Sequence, residues 1–83
     1  MSSAEPSAST TQKFYATLSA LLGVPASELG PHSSRQTVQQ WDSLKHMHLM
    51  LALEEAFGVE FDDLELAQLD NAQALLAALA QKT

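Results

Sequence analysis

Residues 36–58 read QTVQQWDSLKHMHLMLALEEAFG. A polar run stops at Asp42-Ser43-Leu44, and an apolar periodicity of helical type runs from there to Phe57. Gly58 is expected to close that helix in the left-handed conformation. At about 100° per residue, His46, Leu49, Met50, Leu53 and Phe57 share one arc and are expected to face a core. Leu44, Met47 and Leu51 fall on the opposite side, with His48, Glu54 and Glu55. A small bundle buries one face of a helix more easily than two. The second strip is therefore either covered by the loop that precedes it or exposed as a partner surface with an acidic rim. Methionine suits a surface that meets several partners.

Working outward, Phe14, Leu18, Leu21 and Leu22 predict a first helix, with Thr10 or Thr11 as its cap and Gly23 and Pro25 as its end. Residues 1–11 are Ser/Ala/Thr-rich and read as a disordered tail. Residues 23–41 carry Pro25, Gly30 and Pro31, with a single helical turn expected at PASEL, 25–29. Val24, Leu29, Val38 and Trp41 are apolar anchors that should hold this long loop against the helices. After Gly58, Val59 and Phe61 return to the core, and Asp62 or Asp63 opens a short helix to about Gln68. Asp70 with Gln73 reads as a capping box for a final helix whose stripe is Ala72, Leu75, Leu76 and Leu79. Strand alternation is absent over any useful length. The fold class expected is all-α: a small bundle of three main helices plus one short helix, with a long ordered loop between the first and second helices.

The chain has 83 residues and suits one small domain with a modest core, without room for a deep enzyme pocket. It lacks cysteine, which excludes a thiol nucleophile, disulfides and thiolate metal sites, and fits the cytoplasm. The first residues lack the basic start and apolar run of a secretory signal, and no stretch is long enough to span a membrane. A net charge of −6 argues against nucleic acid and favours basic protein partners. Seven acids from Glu54 to Asp70 follow one another with no Lys or Arg between them. That run reads as a solvated face or as a docking surface.

By local rules Ser43 is a helix cap, as Ser and Asp favour that position. A Ser-His-Asp hydrolase is disfavoured, because His46 lies one turn along the same helix on its core side and no strand-turn-helix elbow surrounds the serine. His46 and His48 face different directions, and His32 lies in the loop, so no metal set has workable spacing. EFDDLELAQLD, residues 60–70, lacks the ligand order of a calcium loop.

The Asp-Ser-Leu triplet at 42–44, followed by HLMLALEEAFGVEF at 48–61, resembles the acyl carrier protein family, the phosphopantetheine-binding carrier domains. The resemblance runs from about Phe14 to Leu79, and a carrier domain is expected over residues 12–81. The triplet alone is a weak signal; combined with LEEAFG, the preceding Pro/Gly loop and the acidic short helix, it is strong. The resemblance implies a carrier, not an enzyme. It implies that a phosphopantetheinyl transferase uses coenzyme A to attach a 4′-phosphopantetheine arm at Ser43, with Asp42 and Leu44 flanking it. Acyl or aminoacyl cargo then rides as a thioester and is presented to a loading ligase and to downstream synthases or transferases. It implies partner contacts at Leu44, Met47, His48, Leu51, Glu54 and Glu55, and a cytoplasmic monomer bound to neither nucleic acid nor membrane. The alternative is an unmodified helical interaction module of the same fold.

The chain departs from that family at several positions. Gln40 stands where many members have Gly, beside Trp41; Lys45 follows the triplet where members often have an acid; and His48 replaces another common acid. The acidic rim is thus weaker at the Ser43 end of the helix, and His48 adds a group suited to pH-sensitive docking.

Overall fold

In a computed structural model that describes residues 7–82, four α-helices are present among the described residues: α1 (Ala8–Leu22), α2 (Ser43–Phe57), the short α3 (Asp63–Gln68) and α4 (Ala72–Lys82). This is the all-α bundle expected, three main helices and a short one. None of these helices is long and apolar enough to cross a membrane.

The first helix starts earlier than its periodicity suggests. Ser7 is its cap, accepting from the Thr10 N–H at 3.0 Å, so Thr10 and Thr11 lie inside the first turn and are not the cap. The tail expected over residues 1–11 is corrected accordingly: residues 8–11 are helical, and residues 1–6 lie outside the described residues. The reason is local. A serine that satisfies an orphan amide starts a helix without any apolar residue nearby. At the other end Gly23, at φ +71°, donates to the Ser19 carbonyl. Gly58, at φ +66°, closes α2 in the same way onto Glu54.

Phe14, Leu18 and Leu22 of α1 pack against Leu49, Met50 and Leu53 of α2 and against Ala72, Leu75 and Leu79 of α4. Val24, Trp41 and Phe61 complete the core from the connections. The α2 residues are those the helical arc predicts.

The long connection is ordered, with its polar groups spent internally. A 3-10 turn at Ala26–Glu28 brings Leu29 against the core. Buried Ser33 accepts from the Gly30 N–H at 2.9 Å. Ser34 and Thr37 bond each other's amides and hydroxyls. The loop is also stitched to the start of α4. Ser34 and Asn71 form an isolated antiparallel bridge, Arg35 N–H donates to the Asp70 carbonyl, and Ala72 N–H donates to Ser33.

That stitch displaces the expected cap of α4. Asn71, not Asp70, bonds the helix: its Oδ1 accepts from the Ala74 N–H at 2.8 Å, and the Asp70–Gln73 box does not form. The loop takes the Asp70 carbonyl and the Ala72 amide, so the chain turns into the helix one residue later. A true capping box does occur on α3, where Asp62 and Glu65 reciprocate at 2.8 and 3.0 Å. Lys82 returns from the end of α4 to pair with Glu65 at 3.0 Å, closing the short helix onto the bundle.

Candidate functional site

Asp42 begins the site. Its backbone is extended, and its carboxylate accepts the Lys45 N–H at 2.8 Å while its carbonyl takes the His46 N–H. Ser43 is consequently the first helical residue of α2, held at a fixed helix end with its side chain exposed. The free amides and dipole of such an end favour a negative group.

A residue absent from the sequence reading stands over it. Arg35 Nη2 donates to Ser43 Oγ at 2.7 Å. Its position is set by the loop-to-α4 stitch described above, through its own N–H. One signal pointed to it: Arg35 is the sole Lys or Arg between Lys13 and Lys45.

The strip opposite the core is uncovered. Leu44, Met47 and Leu51 are 65 %, 47 % and 59 % exposed, so the loop does not cover this face. His48 and Glu55 are exposed on the same helix. Glu54 is half-buried and differently employed: its Oε2 accepts the Phe61 N–H at 2.8 Å and clasps the turn after α2. Leu64 on α3 is also exposed, an apolar side chain that the periodicity of the longer helices does not reach.

Lys45 and Trp41 have structural roles. Lys45 Nζ donates to the Leu21 carbonyl at 3.3 Å, a cation at the C-terminal end of α1 that an acid could not replace. Trp41 is 1 % exposed, and its indole N–H donates to His46 Nδ1 at 3.0 Å. Indole nitrogen only donates, so Nδ1 must carry the lone pair and Nε2 the proton. Nε2 then donates to the Leu66 carbonyl at 3.1 Å. Burial holds His46 below its ordinary 6.5; the Leu66 bond opposes this, the Arg35 charge adds to it and Asp70 counters. Both ring nitrogens are thereby engaged, and neither serves Ser43 as a base.

An open groove of about 450 Å³ lies between α1 and α2, lined by Lys13, Ala16, Thr17, Ala20, Leu21 and Ala52. Among the described residues no three His, Asp or Glu side chains converge as a metal site would require.

Comparison with protein families matches residues 12–79, about four-fifths of the chain, to a model described as "phosphopantetheine attachment site". No curated protein matches the chain.

Proposed function

The chain belongs to the acyl carrier protein family, whose domains take a covalent 4′-phosphopantetheine, and on that premise we propose that Ser43 is where this chain takes it. The observation that carries the reading is the exposed Ser43 hydroxyl at the first position of α2, on the same helix as the uncovered Leu44-Met47-Leu51 strip. The residues present suit the group. A phosphodiester at Ser43 meets a helix N-terminus and the Arg35 guanidinium, and the arm leaves from an exposed side chain.

The chain needs no base of its own. Attachment joins the Ser43 oxygen to the phosphorus of the pantetheine phosphate. The pyrophosphate bond of coenzyme A breaks, adenosine 3′,5′-bisphosphate leaves, and the hydroxyl proton passes to a base of the transferase. Once bound, the arm supplies a thiol that holds acyl or aminoacyl cargo as a thioester. Asp42 fixes the helix end and Leu44 begins the contact surface. Met47, His48, Leu51 and Glu55 extend that surface toward a loading ligase and the synthases or transferases that use the cargo, while Glu54 holds the turn behind it. A small apolar strip with an acidic rim gives fast, steered and transient docking, and a flexible tether raises the local cargo concentration at a docked enzyme. In this reading the protein is a cytoplasmic, monomeric carrier and not an enzyme.

The test is direct. The purified chain is incubated with coenzyme A and a broad-specificity phosphopantetheinyl transferase, and its intact mass is measured. A gain of one phosphopantetheine that Ser43→Ala abolishes is the expected result. A folded chain that gains nothing is an unmodified interaction module, and ester turnover by the unmodified chain would make it a hydrolase.

A further inference from the structure

The chain has four Lys and Arg side chains, and three are committed away from Ser43. Lys13 Nζ lies 5.0 Å from the Phe57 ring centroid, Lys45 bonds the Leu21 carbonyl, and Lys82 pairs with Glu65 while lying 5.4 Å from the Phe61 ring centroid. Arg35 is the one whose side chain reaches the Ser43 hydroxyl. Its backbone is pinned by donation to the Asp70 carbonyl, beside the Ser34–Asn71 bridge.

A phosphodiester on Ser43 adds negative charge to a chain already at −6, one residue from the Asp42 carboxylate. That carboxylate caps the Lys45 amide and stays where it is. A cation is needed to offset the two. Guanidinium has five donors in a rigid fork, of which the Ser43 hydroxyl can take only a part. A bond from it to the hydroxyl has one neutral acceptor, whereas a phosphodiester offers a full negative charge and two oxygens that the fork can grip together.

We infer that Arg35 is a positioning residue for the arm: it holds Ser43 Oγ in the unmodified chain and pairs with the phosphodiester once the arm is attached. The root of the arm is then fastened to the loop and, through the Asp70 carbonyl, to the start of α4. The inference rests on the carrier reading above. Its physical consequence is a linkage: if the folded loop grips the phosphodiester more tightly than the hydroxyl, loading stabilises the fold.

The experiment compares loaded and unloaded forms of the wild type, Arg35→Ala, Arg35→Gln and Arg35→Lys. Loading uses coenzyme A and the broad-specificity transferase and is verified by intact mass; each form is then melted. Loading is expected to raise the wild-type Tm by about 4 °C and the Ala and Gln variants by no more than about 1 °C. Arg35→Lys, which keeps the charge and loses the fork, falls between them. A side chain that only packs the loop would move loaded and unloaded forms alike and leave the gain unchanged. A fully loaded wild type with no gain, or Arg35→Gln with the wild-type gain, overturns the inference. A wild type that acquires no mass overturns the carrier reading itself and this inference with it, so the two failures are distinguishable.

Discussion

The indole of Trp41 and the imidazole of His46 lie stacked, centroids 6.1 Å apart and planes at 30°, with the indole N–H donated to Nδ1. On the far side of the ring, Nε2 reaches the Leu66 carbonyl in α3. One neutral histidine thus latches the end of the loop, the inner face of α2 and the short helix. Trp41 stands two residues before Ser43, so the latch also fixes the direction from which the backbone approaches the attachment point.

Protonation opens this latch. A charged His46 needs a proton on Nδ1, which faces a donor, and burial already holds its pKa below 6.5. The unfolded chain therefore takes that proton first as pH falls. Stability from this site is complete above about 6.5 and declines from there toward the lower folded-state value. Urea unfolding of the wild type and His46→Gln between pH 8 and pH 5 checks it. The wild type should lose stability more steeply below pH 6.5, and equal slopes would remove His46 as the cause.

Trp41→Phe keeps an aromatic ring in the core and deletes the donor. It leaves Nδ1 buried without its partner, at a cost of about 1–3 kcal/mol. Thermal unfolding followed by circular dichroism should show a drop of about 4–8 °C for each kcal/mol lost. A change of less than 1 °C would mean that the bond contributes nothing.

The two faces of α2 should respond oppositely to substitution. Met47→Glu on the exposed strip should leave stability within about 0.5 kcal/mol. Leu53→Ala, two turns along and fully buried, should cost about 2–5 kcal/mol. If the strip is the docking surface, Met47→Glu also slows loading by the transferase at unchanged fold. Unfolding of Met47→Glu would place that face in a core instead.

The helices and the division of α2 into two faces were legible because both follow from periodicity, which one sequence carries in full. The loop anchors Val24, Leu29, Val38 and Trp41 were legible as apolar residues in a polar run. What escaped depends on contacts distant in sequence. Arg35 sits eight residues from Ser43, and the backbone around it is held there by bonds to residues 70–72, far along the chain. The Trp41–His46–Leu66 chain is hidden likewise, since a histidine on an apolar arc reveals its burial but not its partners. Ser7 escapes the periodicity because a cap needs no apolar neighbour, and Asp70 and Asn71 look alike in the sequence because both residue types cap and the loop's claim on the Asp70 carbonyl is not written locally.

Asn71→Ala discriminates between those two caps. It removes the acceptor for the Ala74 amide and should cost about 1 kcal/mol. Asp70→Ala keeps the backbone carbonyl that Arg35 N–H uses and should cost less. Denaturant midpoints of the two variants at one pH are enough, and the reverse order would restore Asp70 as the cap.

Tyr15 carries the clearest unused polar atom. Its ring meets Phe14 edge-on at 5.0 Å, and its hydroxyl is sealed from solvent without a hydrogen-bond partner among the described residues. An unpaired buried hydroxyl costs the fold its desolvation, so Tyr15→Phe should be neutral or stabilising by up to about 1 kcal/mol. The alkaline limb gives a second readout. Burial raises the Tyr15 pKa above 10.0, so the unfolded chain gives up the phenolic proton first as pH rises. The folded state retains more protons than the unfolded one above pH 10, and its stability falls there. Tyr15 is the sole tyrosine, so Tyr15→Phe deletes this contribution cleanly. The variant should hold its Tm better than the wild type between pH 9 and pH 11, while a Tyr15→Phe chain that is less stable at pH 7 would show that the hydroxyl has a partner after all.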